Sequence, residues 1–343
     1  MKKTLLTICL VWMCFSLSAQ KIIDLSGKWS FSIDRQDNGE KEKWFSHTLN
    51  DFINLPGSMP EKLKGDEVTA KTQWTGSLYD SSYYYNPYME KYRKEGNIKF
   101  PFFLTPDKHY VGAAWYQKEV NIPADWKGER ILLFLERPHI ETTVWVNGQK
   151  TGMQNSLCVP HQYDITRYVR PGKCTITIRV DNRIKEINVG PDSHSITDQT
   201  QGNWNGIVGR ICLQTTPKTY FDDIQIYPEP EQKLARVKVV IKGTGTAKVK
   251  LSAESFNTDK KHIVPAIQQE IKLNKGVTET EMVLPMGNDM LLWDEFHPAL
   301  YKLKAEVTNG KKTEIKEIQF GMRRFEIKGK WFYVNGRKTQ LRG

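Results

Sequence analysis

Strand signals dominate this chain beyond its first twenty residues, and no long stretch of 3.6-residue apolar period competes with them. Trp29, Phe31 and Ile33 alternate with Ser30 and Ser32. Further strand-like runs are Ile53 to Leu55, Ala114 to Ile122, Arg130 to Glu136, Thr142 to Asn147, Tyr163 to Val169, Cys174 to Asp181 and Gly206 to Gln214. Turn residues such as Asn147-Gly148 and Pro171-Gly172 separate them. Many short strands punctuated by turns predict a β-sandwich. Near Thr215 to Lys218 a second set begins: Phe221 to Tyr227, Leu234 to Ile241, Ala247 to Glu254, Gln268 to Leu273, Glu279 to Leu284, Tyr301 to Val307 and Lys312 to Phe320. Seven strands in about 100 residues is the size of an immunoglobulin-like sandwich. No Cys…Trp…Cys core accompanies it, so that likeness is architectural.

The N-terminus reads as a targeting segment. Met1-Lys2-Lys3 supplies positive charge, Leu5 to Leu17 is an apolar run broken by Thr7 and Ser16, and Ser18-Ala19 are small residues before Gln20. A membrane span needs roughly 20 apolar residues. Residues 1–19 are therefore expected to be a signal peptide, and the mature protein to be exported to the periplasm or beyond the cell. Cys158, Cys174 and Cys212 would remain. An odd, sparse set makes no disulfide framework, and each is expected to be a small buried apolar residue, with one pairing left open. The formal charge is +11, of which Lys2 and Lys3 carry two. Lysines scattered among glutamates, with no nucleic-acid motif, fit a solvated surface better than a nucleic-acid partner.

From Met59 to Tyr110 the alternation dissolves into a long insertion with Trp74, Tyr79, Tyr83, Tyr84, Tyr85, Tyr88 and Tyr92. Loops of this length are functional or disordered, and the tyrosine density argues against disorder. Aromatic rings with a polar edge suit stacking on sugars. They equally suit pinning a loop to its domain, and the sequence does not choose. Tyr85 and Asn86 are the candidates taken from it. The last stretch, Phe320 to Gly343, reads as two short strands, Phe325 and Ile327 alternating before Trp331 to Val334, with Asn335-Gly336 favouring a type I′ hairpin. The four Asn-Gly pairs, at 147, 205, 309 and 335, are all read as turns.

Several strings together resemble glycoside hydrolase family 2, the group of β-galactosidases, β-glucuronidases and β-mannosidases. They are Trp115-Tyr-Gln-Lys-Glu-Val, Leu133-Phe-Leu-Glu, Val144-Trp-Val-Asn-Gly, Asp164-Ile-Thr, Val180-Asp-Asn182, Asn203-Trp-Asn-Gly-Ile and Trp293-Asp-Glu-Phe-His-Pro-Ala-Leu-Tyr301. The resemblance implies an all-β chain: a jelly-roll, galactose-binding-like β-sandwich over 20–217, then an immunoglobulin-like β-sandwich over 218–320. It reads 321–343 as the lead-in to a TIM-barrel catalytic domain. The family's retaining chemistry uses two glutamates on that barrel. The acid/base resembles an Asn-Glu dipeptide, which is absent from the chain, and a barrel needs about 250 residues. By itself the chain is expected not to cleave a glycoside, and the alternative is a stand-alone carbohydrate-binding module.

Glu136 and Glu141 sit on strands and point to a structural or calcium-related role rather than catalysis, and Trp293-Asp294-Glu295 to a loop between strands. His194, Asp198, Gln201, Asn203 and Trp204 share a polar, strand-free segment, 190–205. In the family, an aspartate of the corresponding loop contacts substrate. Asp198 resembles it by its place ahead of Trp204-Asn-Gly-Ile, with spacing that is not identical. The competing reading is turn capping by Asp and Asn. Candidate substrate-binding residues are thus Asp198, Asn203, Trp204, Tyr85 and Asn86, with a β-glycoside as the partner. No catalytic residue, cofactor, metal site or membrane span is expected. The histidines lack ligand spacing for zinc, and a homo-oligomer is left open.

Overall fold

The computed structural model describes residues 21–76, 81–185, 194 and 197–341. The expected signal peptide, Tyr79 and most of 190–196 lie outside the described residues. The chain divides into two compact units, 20–216 and 217–343.

The first unit is a two-sheet sandwich. Its strands are β1 (Ile22–Asp24), β2 (Gly27–Asp34), β3 (Asp51–Leu55), β4 (Gly57–Ser58), β5 (Asp66–Glu67), β6 (Lys108–His109), β7 (Ala113–Ile122), β8 (Arg130–Pro138), β9 (Glu141–Val146), β10 (Gln149–Asn155), β11 (His161–Asp164), β12 (Gly172–Asp181) and β13 (Gly206–Thr216). One sheet runs β1-β13-β8-β11 with β4 beside β13; the other runs β10-β9-β12-β7-β2-β3. Every pairing is antiparallel. Trp29, Phe31, Tyr116, Leu133, Val144, Ile178 and Leu213 fill the space between the sheets.

The six-stranded sheet departs from simple alternation because it is covered on both faces. Trp115 and Trp145 lie on its outer face under Leu49, Trp44 and Phe45, with Phe45 stacked on Trp145 at 5.2 Å. All of β9 is consequently buried.

Three expectations need correction here. The strand read over Tyr163 to Val169 stops at Asp164, whose carboxylate accepts from Thr166 N and Thr166 Oγ1 and closes a local turn. Cys158 is exposed, in the connection between β10 and β11, whereas Cys174 and Cys212 are buried; all three are free thiols. Asn205-Gly206 is no hairpin turn but the entry to β13. Gly206 has φ +147°, and a Cβ there would lie 2.5 Å from Gly57 O, so only glycine lets β13 approach β4 so closely.

In the second unit the strands are β14 (Tyr220–Glu229), β15 (Leu234–Ser255), β16 (Ile263–Pro285), β17 (Tyr301–Asn309) and β18 (Lys312–Phe320). The sequence suggests seven shorter strands. Two pairs of them are in fact continuous, because β15 and β16 form one long hairpin that bends at the Gly243/Gly245 register shift. The N-terminal half of β15 pairs with β14 and its C-terminal half with β17. The odd-numbered residues Val237, Val239, Ile241, Val249 and Leu251 are buried in a core shared with Leu303, Ala305 and Val307. This is the immunoglobulin-like sandwich.

The final stretch forms three strands rather than two: β19 (Phe325–Lys328), β20 (Trp331–Val334) and β21 (Arg337–Thr339). Asn335 (φ 49°) and Gly336 (φ 79°) supply the left-handed pair that a type I′ turn needs. Asn335 Nδ2 also donates to Trp293 O at 2.9 Å, tying the turn to the 293–295 loop.

Candidate functional site

Two polar clusters converge at one end of the first sandwich. The first is built on Asp198, which is 2% exposed. Its Oδ2 accepts from Thr75 N (2.7 Å) and its Oδ1 from Asn203 N (2.6 Å), while His109 Nε2 lies 3.4 Å from Oδ2. Asp198 N in turn donates to Thr75 O. Asn203, also buried, donates from Nδ2 to Thr75 Oγ1 and Asn182 O and accepts at Oδ1 from Asn182 Nδ2. Asn182 accepts from Gly112 N and donates to Tyr110 O. Asn205 donates to Gly112 O and Val180 O and accepts from Tyr116 OH at 2.7 Å. Strand ends and loops that lack ladder partners are thereby satisfied by Asp and Asn side chains, as buried backbone groups require.

The same latching fixes the long insertion. Trp74 packs edge-on against Phe100, Phe102 and His109 at 4.6–4.9 Å. Tyr83 is fully buried, stacks near Phe100, and its carbonyl accepts from the Arg93 guanidinium. These aromatics pin the loop. Tyr84, Tyr85 and Tyr88 are exposed, Tyr85 by 73%. Tyr85 ends a short helix, α1 (Ser82–Tyr85), and Asn86 caps the following 3-10 turn by accepting from Tyr88 N. Tyr85 and Asn86 therefore sit on an element separate from Asp198, Asn203 and Trp204.

The second cluster lines a pocket of about 460 Å³. Its walls come from Ser58 at the end of β4 and Pro60 just after it, Leu104 to Pro106 of the insertion, Arg137 on β8, Gln201 to Trp204, and Val208 on β13. Val208 is the register partner of Arg137. Met59 N donates to Asn205 O and Phe103 N to Gln199 O, which fixes the walls to one another. The His139 ring lies against Trp204, centroids 4.5 Å apart and planes tilted by 37°. His139 is buried, and its Nε2 has no hydrogen-bond partner among the described residues. Burial, with Arg137 nearby, lowers its pKa to about 4, so it is neutral at physiological pH.

A third, purely ionic cluster lies where β9 meets β12. Arg179 reaches Asp37 (2.6 Å), Asp181 (3.1 Å) and Glu141 (3.4 Å). Arg183 and Lys185 reach Asp181 at 2.6 and 2.8 Å, and Lys185 reaches Glu141 at 2.9 Å. Burial alone would raise the Asp181 carboxyl, but bonds from Arg183 and Lys185 and the charge of Arg179 hold it well below the usual range. Glu141 thus serves structure, and Glu136 accepts from Arg210 N at 2.8 Å on the neighbouring sheet. Among the described residues no group of three or more His, Cys, Asp and Glu is placed to hold a metal ion, and no helix is long and apolar enough to cross a membrane.

Asp198, Asn203 and Trp204 are brought together as their sequence proximity suggests. Arg137, His139, Asn182 and Asn205 were not legible as site residues. Asn205 is hidden by its Asn-Gly pair, and Arg137 is flanked only by Glu136 and Pro138.

The family description "Glycosyl hydrolases family 2, sugar binding domain" matches residues 22–217, and "Glycosyl hydrolases family 2" matches 219–323. The chain is 24% identical to a β-glucuronidase of Paenibacillus borealis over 94% of its own length and 49% of the relative's. It is likewise 24% identical to a β-galactosidase large subunit of Latilactobacillus sakei over 93% and 49%. The structure of a Ruminococcus gnavus β-glucuronidase superposes with TM-score 0.62 at 19% identity, covering 95% of this chain and 49% of that one. The chain spans about half the length of these relatives.

Proposed function

The chain belongs to glycosyl hydrolases family 2, and from that premise we propose that it is the sugar-binding and immunoglobulin-like part of a β-glycosidase whose bond-cleaving glutamates lie outside these 343 residues. The observation that carries this reading is the tandem of two family-matched domains, 22–217 then 219–323, in a chain half as long as hydrolases named β-glucuronidase and β-galactosidase. In this reading the 197–205 loop, with Asp198 as its latch and Asn203 and Trp204 on the pocket wall, shapes the sugar-facing rim. Tyr85 and Asn86 offer a second, exposed contact. Export belongs to the same proposal and is supported by Met1-Lys2-Lys3, the apolar run and Ser18-Ala19.

The test compares hydrolysis of p-nitrophenyl β-D-glucuronide and β-D-galactoside by the product of the complete reading frame and by residues 20–343 alone. Activity is expected only from the former. Turnover by residues 20–343 would overturn the proposal, and inactivity of both on these β-glycosides would favour the stand-alone binding module. N-terminal sequencing of secreted protein should find Gln20.

A further inference from the structure

Around this pocket, the polar side chains divide into those whose bonds are complete and those that have no protein partner among the described residues. Asp198 and Asn203 are bonded at both ends of their functional groups, to Thr75, Asn182 and each other. The Arg137 guanidinium, by contrast, has no hydrogen-bond or ion-pair partner among the described residues. Neither has the Gln201 amide or the Trp204 indole N–H. All three residues line the same pocket. Arg137 and Gln201 are solvent-exposed, so their polar groups are free for a ligand, and Arg137 stands in a concavity with Trp204, Leu104, Pro60, Pro106 and Val208. Apolar walls with a few convergent polar groups are the usual makeup of a small-ligand site, and 460 Å³ is within the volume range of one.

The aromatic wall is itself held in place by a buried ring. His139, 4% exposed, lies against Trp204 with ring centroids 4.5 Å apart and planes tilted by 37°, which backs the indole as the pocket's aromatic wall.

We propose that this pocket binds a single anionic pyranose, with Trp204 stacked on the ring face, Arg137 holding a carboxylate or sulfate substituent, and Gln201 bonding a ring hydroxyl. A planar guanidinium presents paired donors that match either oxyanion, and an indole face suits the C–H face of a pyranose while its N–H serves a hydroxyl. This inference rests on the reading of the first domain as a sugar binder, but it requires no bond cleavage.

Isothermal titration calorimetry on the full chain tests it with two pairs of probes: D-galacturonate against D-galactose, and D-glucose 6-sulfate against D-glucose. Binding of at least one anionic sugar, tenfold or more tighter than its neutral parent, is expected, and which pair shows it identifies the anion. Arg137→Gln should erase that preference without weakening the neutral parent, and Arg137→Lys should retain part of it. Trp204→Ala should weaken anionic and neutral sugars alike; because this variant could unfold, circular dichroism accompanies it, and Trp204→Phe, which keeps a ring, should retain binding. Equal affinity for charged and neutral sugars, a preference that survives Arg137→Gln, or no binding of any probe would overturn the proposal. None of these outcomes bears on hydrolysis by the complete reading frame, so the two readings fail separately.

Discussion

Asn203 and Trp204 are neighbours in sequence and opposites in chemistry. Asn203 belongs to a network that includes Asp198, Asn182 and Asn205, is buried, and spends its donors and acceptor on the fold. Trp204 lines an open pocket beside Arg137 and Gln201, whose polar groups are uncommitted. Polar residues that look equally functional in a sequence therefore divide into those that build the site's walls and those that could meet a ligand. An unpaired buried group is costly, so the first kind is recognised by complete bonding.

If that division is right, stability and binding should respond to different substitutions. The largest stability loss is expected in the ionic cluster, another fully committed region. Asp181→Ala leaves Arg179, Arg183 and Lys185 without their shared buried partner. Breaking one side of a buried pair costs about 3–5 kcal/mol, read as a lower denaturation midpoint. Asp198→Ala comes next. It strips the acceptors from Thr75 N and Asn203 N, at about 1–3 kcal/mol for each buried donor left unpaired. Wild-type stability after Asp198→Ala would break the comparison by showing that Asp198 is not a latch.

Titration gives a graded test. The His139 imidazole is depressed to about 4 in the folded protein, whereas in the unfolded chain it protonates near its ordinary 6.5. Between those values the unfolded state binds the extra proton, so stability should fall as pH drops through that window, by about 1.4 kcal/mol per pH unit, and be flat from this source above it. His139→Gln should flatten the slope measured by chemical denaturation. Asp181 and Asp37 are held low by their arginines. Their contribution is fully present above the unfolded carboxylate value of about 4 and disappears only as pH falls below it toward their folded values. The smallest effect is expected at Arg137, where Arg137→Gln should change stability by less than about 0.5 kcal/mol. A large loss there would mean that Arg137 is structural, and the distinction from Asn203 would collapse.

Much of the architecture was legible in the residues. Trp29/Phe31 and Val237/Val239/Ile241 announce strands because burial of one face imposes a period of two, and Thr142 to Val146 does so by its β-branched and aromatic run before the Asn147-Gly148 turn. The bent β15–β16 hairpin was harder, since Gly243-Thr-Gly245 reads as a break although the pairing continues through a bulge. The Ile165 to Val169 segment is apolar enough for a strand, yet Asp164 closes a turn on Thr166. At the site, Asp198, Asn203 and Trp204 were visible because they share one short segment. Asn182, His139 and Arg137 were not, because they lie at or just beyond the ends of other strands, far away in sequence, and Asn205 carries the signature of a turn.

The sequence alone determined the all-β class, the two sandwiches in order and the segment that carries the candidate site, because alternation and turn chemistry are local and survive in one dimension. The tertiary structure decided which polar groups are spent. Whether Asp198 faces a ligand or Thr75 N, and whether Arg137 meets a carboxylate or an open pocket, depends on contacts between residues some seventy to a hundred and twenty positions apart. Bonding across that separation follows from how the sheets and the insertion pack, and no local pattern encodes it.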